Sequence, residues 1–376
     1  AERRERYTKA VEQLGVEKSP IRMGGVYTLV GLVDEWLEEK SLSDDQRLTE
    51  GQVIINNLCA YIRSPFPLYA RYDILFKGSP NQIAQYFSGP AGFYDDKSKL
   101  ESEIDIRLNI IKEIHGRLQG SEENTPGTWS EFEYNFSGSR FFYSVDLTNS
   151  YYTKSVNFSG STYKGEANFS GSTYKGEANF SGSTYENKKK NVLFSTSALC
   201  STYEGNADFS GSIYKGEADF SGSTYLRNPT YKIRATFSRS IFYQEAYFGK
   251  DGNNNRSSRF LDRAPQFYEE TNHTNTLFGS PNNDFTVDTS EGYPIDLNSE
   301  GLPLGCNFLT TEQKEYLADI FQEIEKINNK FLEAKDNKEK ARISDTLRSL
   351  YEELHEWRKK ATTVKVEDVA AEDTES

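Results

Sequence analysis

From Val156 the chain repeats one eleven-residue phrase: VNFSGSTYKGE, ANFSGSTYKGE, ANFSGSTYENK, then after an interruption ADFSGSIYKGE and ADFSGSTYLRN. Rings fall alternately five and six residues apart, at Phe158, Tyr163, Phe169, Tyr174, Phe180 and Tyr185, then at Phe209, Tyr214, Phe220 and Tyr225. The same count runs back through Tyr152, Leu147, Phe141 and Phe136, and resumes at Phe237, Phe242 and Phe248. A helix would scatter these positions over different faces, and the Gly, Ser, Asn and Thr that fill the unit are poor helix formers. An ordinary strand needs an apolar residue at every second position and rarely runs far without a turn.

A solenoid satisfies the count. Each short block forms one side of a coil and sends its ring to the axis. The small residue two positions earlier (Ala167, Ala178, Ala207, Ala218) points inward as well, because side chains two apart share a face. Ser, Thr, Asn, Asp and Lys are expected to face water, with Gly at the corners. Coils stack at about 4.8 Å, so backbone groups bond to the coils above and below. Each buried ring contributes on the order of 1.5–3 kcal/mol, and stacking makes the contributions interdependent. Composition agrees: 24 Tyr and 24 Phe stand against one Met, in a chain only 36% hydrophobic with mean hydropathy −0.73.

The blocks ANFSG, ADFSG and STYKG resemble pentapeptide-repeat proteins, in particular those whose repeats run in elevens. The resemblance covers about a third of the chain, Phe136 to Phe248. It implies a right-handed quadrilateral β-helix over residues 135–250. The second ring position is mostly Tyr here, where relatives tend to carry Phe. A buried hydroxyl needs a partner, so Tyr163, Tyr174, Tyr214 and Tyr225 are expected to reach an edge, a water or a neighbouring coil. Between Tyr185 and Tyr203 the spacing breaks at ENKKKNVLFSTSALC. Phe194 still ends a triplet like ANF, which reads as a bulge within a coil. Lys188, Lys189 and Lys190 would then protrude, as a solvated loop or as a docking point for an acidic partner.

The flanks read as helices. Residues 1–120 carry amphipathic stripes, including Tyr7, Ala10, Val11 and Leu14, then Ile21, Val26, Leu29 and Val33, then Ile104, Leu108, Ile111 and Ile114. Ser19-Pro20 has the form of a capped helix start. The expectation is a HEAT-like helical domain, followed by a linker over 121–134. Residues 251–308 read as irregular, with a last coil attempted around Phe267 and Phe278. Over 309–362, Leu317, Ile320, Ile324, Ile327 and Phe331, then Ile343, Leu347, Leu350, Leu354 and Trp357, step by three and four. That seam predicts an antiparallel hairpin. It would cap the solenoid, or join a partner or a second copy, with Trp357 as the contact to inspect. Residues 363–376 form an acidic tail expected to be disordered.

Charge and composition exclude several classes. Of the net −13, residues 252–376 carry −10, while the repeat region is about neutral, so no basic nucleic-acid groove is expected. Some relatives in the resembled family imitate duplex DNA and bind a topoisomerase. Here Lys164, Lys175 and Lys215 answer Glu166, Glu177 and Glu217, which weighs against that mimicry. Cys59, Cys200 and Cys306 are too few and too scattered for a disulfide framework, and His115, His273 and His355 form no metal-ligand spacing. A nucleophile elbow and a phosphate-binding Gly loop are both missing from the sequence. No catalytic residue and no cofactor is therefore assigned. The expected function is a non-enzymatic scaffold for an unidentified protein partner. The alternatives are DNA mimicry, or an enzyme with its site between the helical domain and the rod. The helical string ERYTKAVEQLG…IRMGGVYTLVGLVDEW resembles the region preceding the repeats in larger relatives, many of which carry membrane helices upstream. That resemblance implies a cytoplasmic protein tethered to the inner face of a membrane by a segment upstream of residue 1.

Overall fold

The computed structural model describes residues 2–72, 75, 90–186, 192–194, 200–227, 234–249, 256–333 and 337–364. Lys188, Lys189, Lys190, the tail from 365 and the side chain of Phe331 lie outside the described residues. Two-residue strands run from Tyr134–Asn135 to Asn307–Phe308 and assemble into four parallel sheets. Tyr134 pairs with Val156 and Val156 with Ala178, so one coil consumes two eleven-residue units. The first sheet then continues through Ala207 and Ala235. The second stacks Arg140–Phe141, Thr162–Tyr163, Thr184–Tyr185, Ile213–Tyr214, Ile241–Phe242, Leu277–Phe278 and Asn307–Phe308. The third includes Ala167–Asn168, Val192–Leu193 and Ala218–Asp219, and the fourth Thr173–Tyr174, Thr202–Tyr203 and Thr224–Tyr225. This is a repeat β-solenoid with helices at both ends.

The interior is four columns of side chains, one per sheet. Phe136, Phe158, Phe180, Phe209, Phe237 and Phe267 stack at 5.0–5.3 Å between ring centroids. Phe141, Tyr163, Tyr185, Tyr214, Phe242 and Phe278 form the second column, at 4.5–5.2 Å. Leu147 heads the third, continued by Phe169, Phe194, Phe220, Phe248 and Phe285. Tyr152, Tyr174, Tyr203, Tyr225 and Phe260 make the fourth. Rings of the two Phe columns meet edge-on at about 5 Å, as Phe158 does with Phe169, which is the favourable quadrupole arrangement. Phe194 stacks on Phe169 and Phe220, so the repeat interrupts without breaking the column.

Two expectations about polar groups are corrected. The serine two positions before each Tyr is buried and faces inward. Ser161, Ser183 and Ser212 donate to the carbonyls of Phe136, Phe158 and Phe180 one coil back, at 3.1, 3.1 and 3.2 Å. The hydroxyls of Tyr152, Tyr163, Tyr174, Tyr185, Tyr203, Tyr214 and Tyr225 reach neither an edge nor a neighbouring coil. They are buried and make no hydrogen bond of acceptable geometry with a described residue. Each lies beside that serine, which only partly offsets the upward pull of burial on the phenol pKa. Stack geometry dictates this, because a ring held flat on its neighbours cannot tilt to seek an acceptor.

Glycine serves two different purposes. Gly211 and its equivalents turn corners at positive φ (+66° there). Gly205 instead lets coils touch, since a Cβ there would lie 2.2 Å from the carbonyl oxygen of Gly176. Gly205→Ala is therefore expected to cost about 2–3 kcal/mol through overpacking against backbone. A urea midpoint unchanged from wild type would show that the coils are not this close.

Among the described residues the N-terminal cap is built from α1 (Glu2–Leu14), α2 (Ser19–Leu37), α3 (Asp44–Arg63) and α4 (Pro90–Leu118), with a 3₁₀ turn at Pro67–Arg71. Ser19 does not cap α2. Lys18 holds that position without a side-chain bond, while α3 has a full capping box, Ser43 with Gln46. The stretch expected as a linker is packed: Trp129, Phe132 and Tyr134 are buried beneath the helices. Trp129 Nε1 donates to Asp34 at 2.8 Å, and Arg117 bonds the same carboxylate while lying 4.9 Å over the indole. Phe142 leaves the first coil sideways to stack on Phe66, with Arg107 5.6 Å above it. Arg107 is itself buried, bonded to Glu103 and to the carbonyls of Ile62 and Ser64.

The stretch read as irregular, with a last coil around Phe267 and Phe278, does supply that coil. Phe260, Phe267, Phe278 and Phe285 add one ring to each column, and the altered spacing hides Phe260 and Phe285 from the five-and-six count. Among the described residues no helix is long and apolar enough to cross a membrane.

Candidate interaction surfaces

One sheet face is covered by the chain itself. On the second sheet the outward position, Thr162 and Thr184 in early coils, becomes Ile213, Ile241 and Leu277. All three are buried against the hairpin of α5 (Thr311–Glu333) and α6 (Asn337–Ala361), chiefly by Leu317, Ile320, Ile324, Leu347 and Leu354. The seam that could have served a second copy is therefore occupied within one chain. The signal was present in the sequence as SIY in place of STY. A single-letter change outside the ring position carries little weight in a repeat defined by its rings.

Polar contacts fasten the hairpin. Arg358 Nη1 donates to the carbonyl of Arg239 at 2.7 Å, and Lys215 sits 4.5 Å over the Phe321 ring. Past the helix, Thr363 bridges Thr274, and Val364 N donates to His273 O at 2.7 Å. Trp357, singled out as a partner contact, is half-buried and stacks on Tyr316 at 4.6 Å, and Tyr316 in turn donates to Glu353.

Where hairpin, rod and helical cap meet there is a cleft of about 310 Å³, lined by Tyr69, Arg140, Thr162, Arg348, Tyr351, Glu352 and His355 among others. Its ionisable groups are engaged with the walls. Tyr351 donates to Glu186, and burial raises its phenol pKa. Arg348 faces Asp345 and Glu352, and Arg140 lies 5.3 Å over Tyr69. His355 is 3.4 Å from Thr184 Oγ1, and burial together with Arg358 and Lys359 pushes its pKa down to about 4. The cleft thus holds a neutral imidazole at pH 7, and the Tyr351 hydroxyl on its wall is already given to Glu186.

That imidazole makes the hairpin acid-sensitive. The unfolded chain binds the His355 proton below about pH 6.5, whereas the folded chain resists it until about pH 4. Stability is full above 6.5 and falls as the pH drops through that window, by on the order of 2–3 kcal/mol. His355→Gln is expected to flatten this part of the stability–pH curve. An unchanged curve in the variant would remove His355 from the account.

The first sheet keeps an accessible outward row among the described residues, with α3 reaching its first strand, Tyr134–Asn135. That row is Asn135, Asn157, Asn179 and Asp208, exposed or partly exposed. Each accepts a bond from the backbone two residues on where the chain turns, as Asn157 does from Ser159 N at 2.9 Å. Beside this row a groove of about 440 Å³ runs between α3 and the rod, walled by Asn56, Arg63, Glu133, Asn135 and Asn157. Cys59 in its floor is buried, and burial pushes its thiol up to about 12, which leaves it unreactive. No group of three His, Cys, Asp or Glu among the described residues could hold a metal ion. Protein-family models, curated proteins and solved structures each give no match to this chain.

Proposed function

We propose that the chain is a non-enzymatic scaffold of the pentapeptide-repeat kind, a right-handed, four-sided coil whose accessible first-sheet face binds a protein partner. The right hand is supported by the general preference of parallel crossovers. The ring columns favour rigidity, since each coil is held by its neighbours above and below. The observation that carries the reading is the contrast between faces. Outward positions turn apolar where the chain's own hairpin lies, at Ile213, Ile241 and Leu277. They stay Asn and Asp, in a regular row beside a groove, on the first sheet.

The test is affinity capture by the intact chain from its native cells, beside an Asn157→Arg/Asn179→Arg variant shown by circular dichroism to be folded. A protein captured by the wild type and lost by the variant is expected. Capture of the same proteins by both, or of none above a folded control, would contradict the proposal.

A further inference from the structure

The far tip of the rod carries a second groove, of about 340 Å³, independent of the face just described. Its floor is apolar, with Phe267, Ile295 and Leu304, and Leu304 is 55% exposed although it is a leucine. Arg234 and Arg263 stand on its rim, and neither pairs with a carboxylate among the described residues, although Asp296 also lines the groove. Tyr268 forms one wall, seated so closely on Gly305 that a Cβ there would lie 2.6 Å from its ring. A preformed apolar floor beside two guanidiniums that pair with no described carboxylate suits an extended segment that alternates small apolar residues with carboxylates.

The chain has such a segment, and the described residues end beside the groove. Val364 N is bonded to His273 O, and His273 Nδ1 is 3.4 Å from the hydroxyl of Tyr268. The sequence that follows, KVEDVAAEDTES, has one lysine against five carboxylates, with Val366, Val369, Ala370 and Ala371 between them. We infer that residues 365–376 bind the tip groove, with their carboxylates on Arg234 and Arg263 and an apolar side chain over Leu304. Tethering at Val364 gives the segment a high effective concentration at this groove, so an external acidic peptide must displace it.

A fluorescein-labelled peptide of residues 365–376 tests this by anisotropy against the full chain and a chain ending at Val364. The shorter chain keeps every described strand and helix. The peptide is expected to bind the shorter chain, to bind the full chain at least ten-fold more weakly, and to lose at least ten-fold in affinity with Arg234→Glu/Arg263→Glu. High salt should weaken binding as well. Equal binding to both chains, no binding to either, indifference to the charge reversal, or equal binding of a scrambled peptide would each overturn the inference. So would self-association of the shorter chain, by sedimentation, in place of peptide binding, because the groove would then belong to a second copy.

Discussion

Raising the pH from 10 to 11 is expected to unfold this chain cooperatively. Seven ring tyrosines sit in the columns with buried hydroxyls, and burial raises the pKa of every one. Above about pH 10 the unfolded chain releases those protons while the folded chain keeps them, so stability falls with rising pH. Each phenol costs about 1.4 kcal/mol by pH 11, and seven together about 10 kcal/mol, which matches the whole stability of a typical domain. Absorbance at 295 nm should show exposed tyrosines titrating near pH 10. The ring tyrosines should follow later, in one step coincident with loss of the far-ultraviolet dichroism. Tyr203→Phe should add about 1 kcal/mol at pH 7 by removing a buried hydroxyl that bonds to no described residue, and should make the alkaline slope shallower by one proton. Smooth titration of all tyrosines near pH 10 with the fold intact would refute the buried columns.

Phe194→Ala should be among the most damaging single substitutions in the rod, although Phe194 lies in the stretch where the repeat spacing breaks. Its ring stacks 5.7 Å from Phe169 and 4.7 Å from Phe220, and meets Phe180 and Phe209 edge-on. Removing a ring gripped on four sides leaves a cavity that rigid coils cannot close, at a cost of about 3–5 kcal/mol. Urea unfolding should show this as a lower midpoint at constant slope. A loss below about 1 kcal/mol would mean that the coil is open there and that the rod is two separate stacks.

The columns were legible because a ring every five or six residues has no other economical fate. Phe194 was legible for the same reason: a coil can lengthen at a corner while its rung stays in place. Phe260 and Phe285 escaped the count because the spacing around them is altered, although their rings stack like the others. The landing face of the hairpin was written in single letters, Ile213 and Ile241 where the repeat has Thr. A one-residue change carries little weight until a partner for it is known. The ring phenols bond to no described edge or neighbouring coil, which overturns two of their three expected destinations. A ring held in a stack cannot turn its hydroxyl toward an acceptor, and beside five of the seven tyrosines Ser161, Ser172, Ser183, Ser201 and Ser212 already give their protons to carbonyls, whereas the hydroxyls of Ser150 and Ser223 meet none among the described residues. The groove at the tip was illegible, since Arg234, Arg263 and Leu304 converge only through the fold.

The central claim is that residues far apart in sequence lie one rung apart in space, coil upon coil. In a background with the native cysteines replaced by Ser, spin labels at Asp146 paired with Asp219 or with Tyr247 test it by pulsed electron paramagnetic resonance. Those positions lie three and four rungs apart in the third sheet. Backbone separations of about 14 and 19 Å follow from the strand spacing, with narrow distributions and one rung of difference between the pairs. Broad distributions, or separations that do not increase by one rung, would contradict the stacked coil on which the scaffold proposal depends.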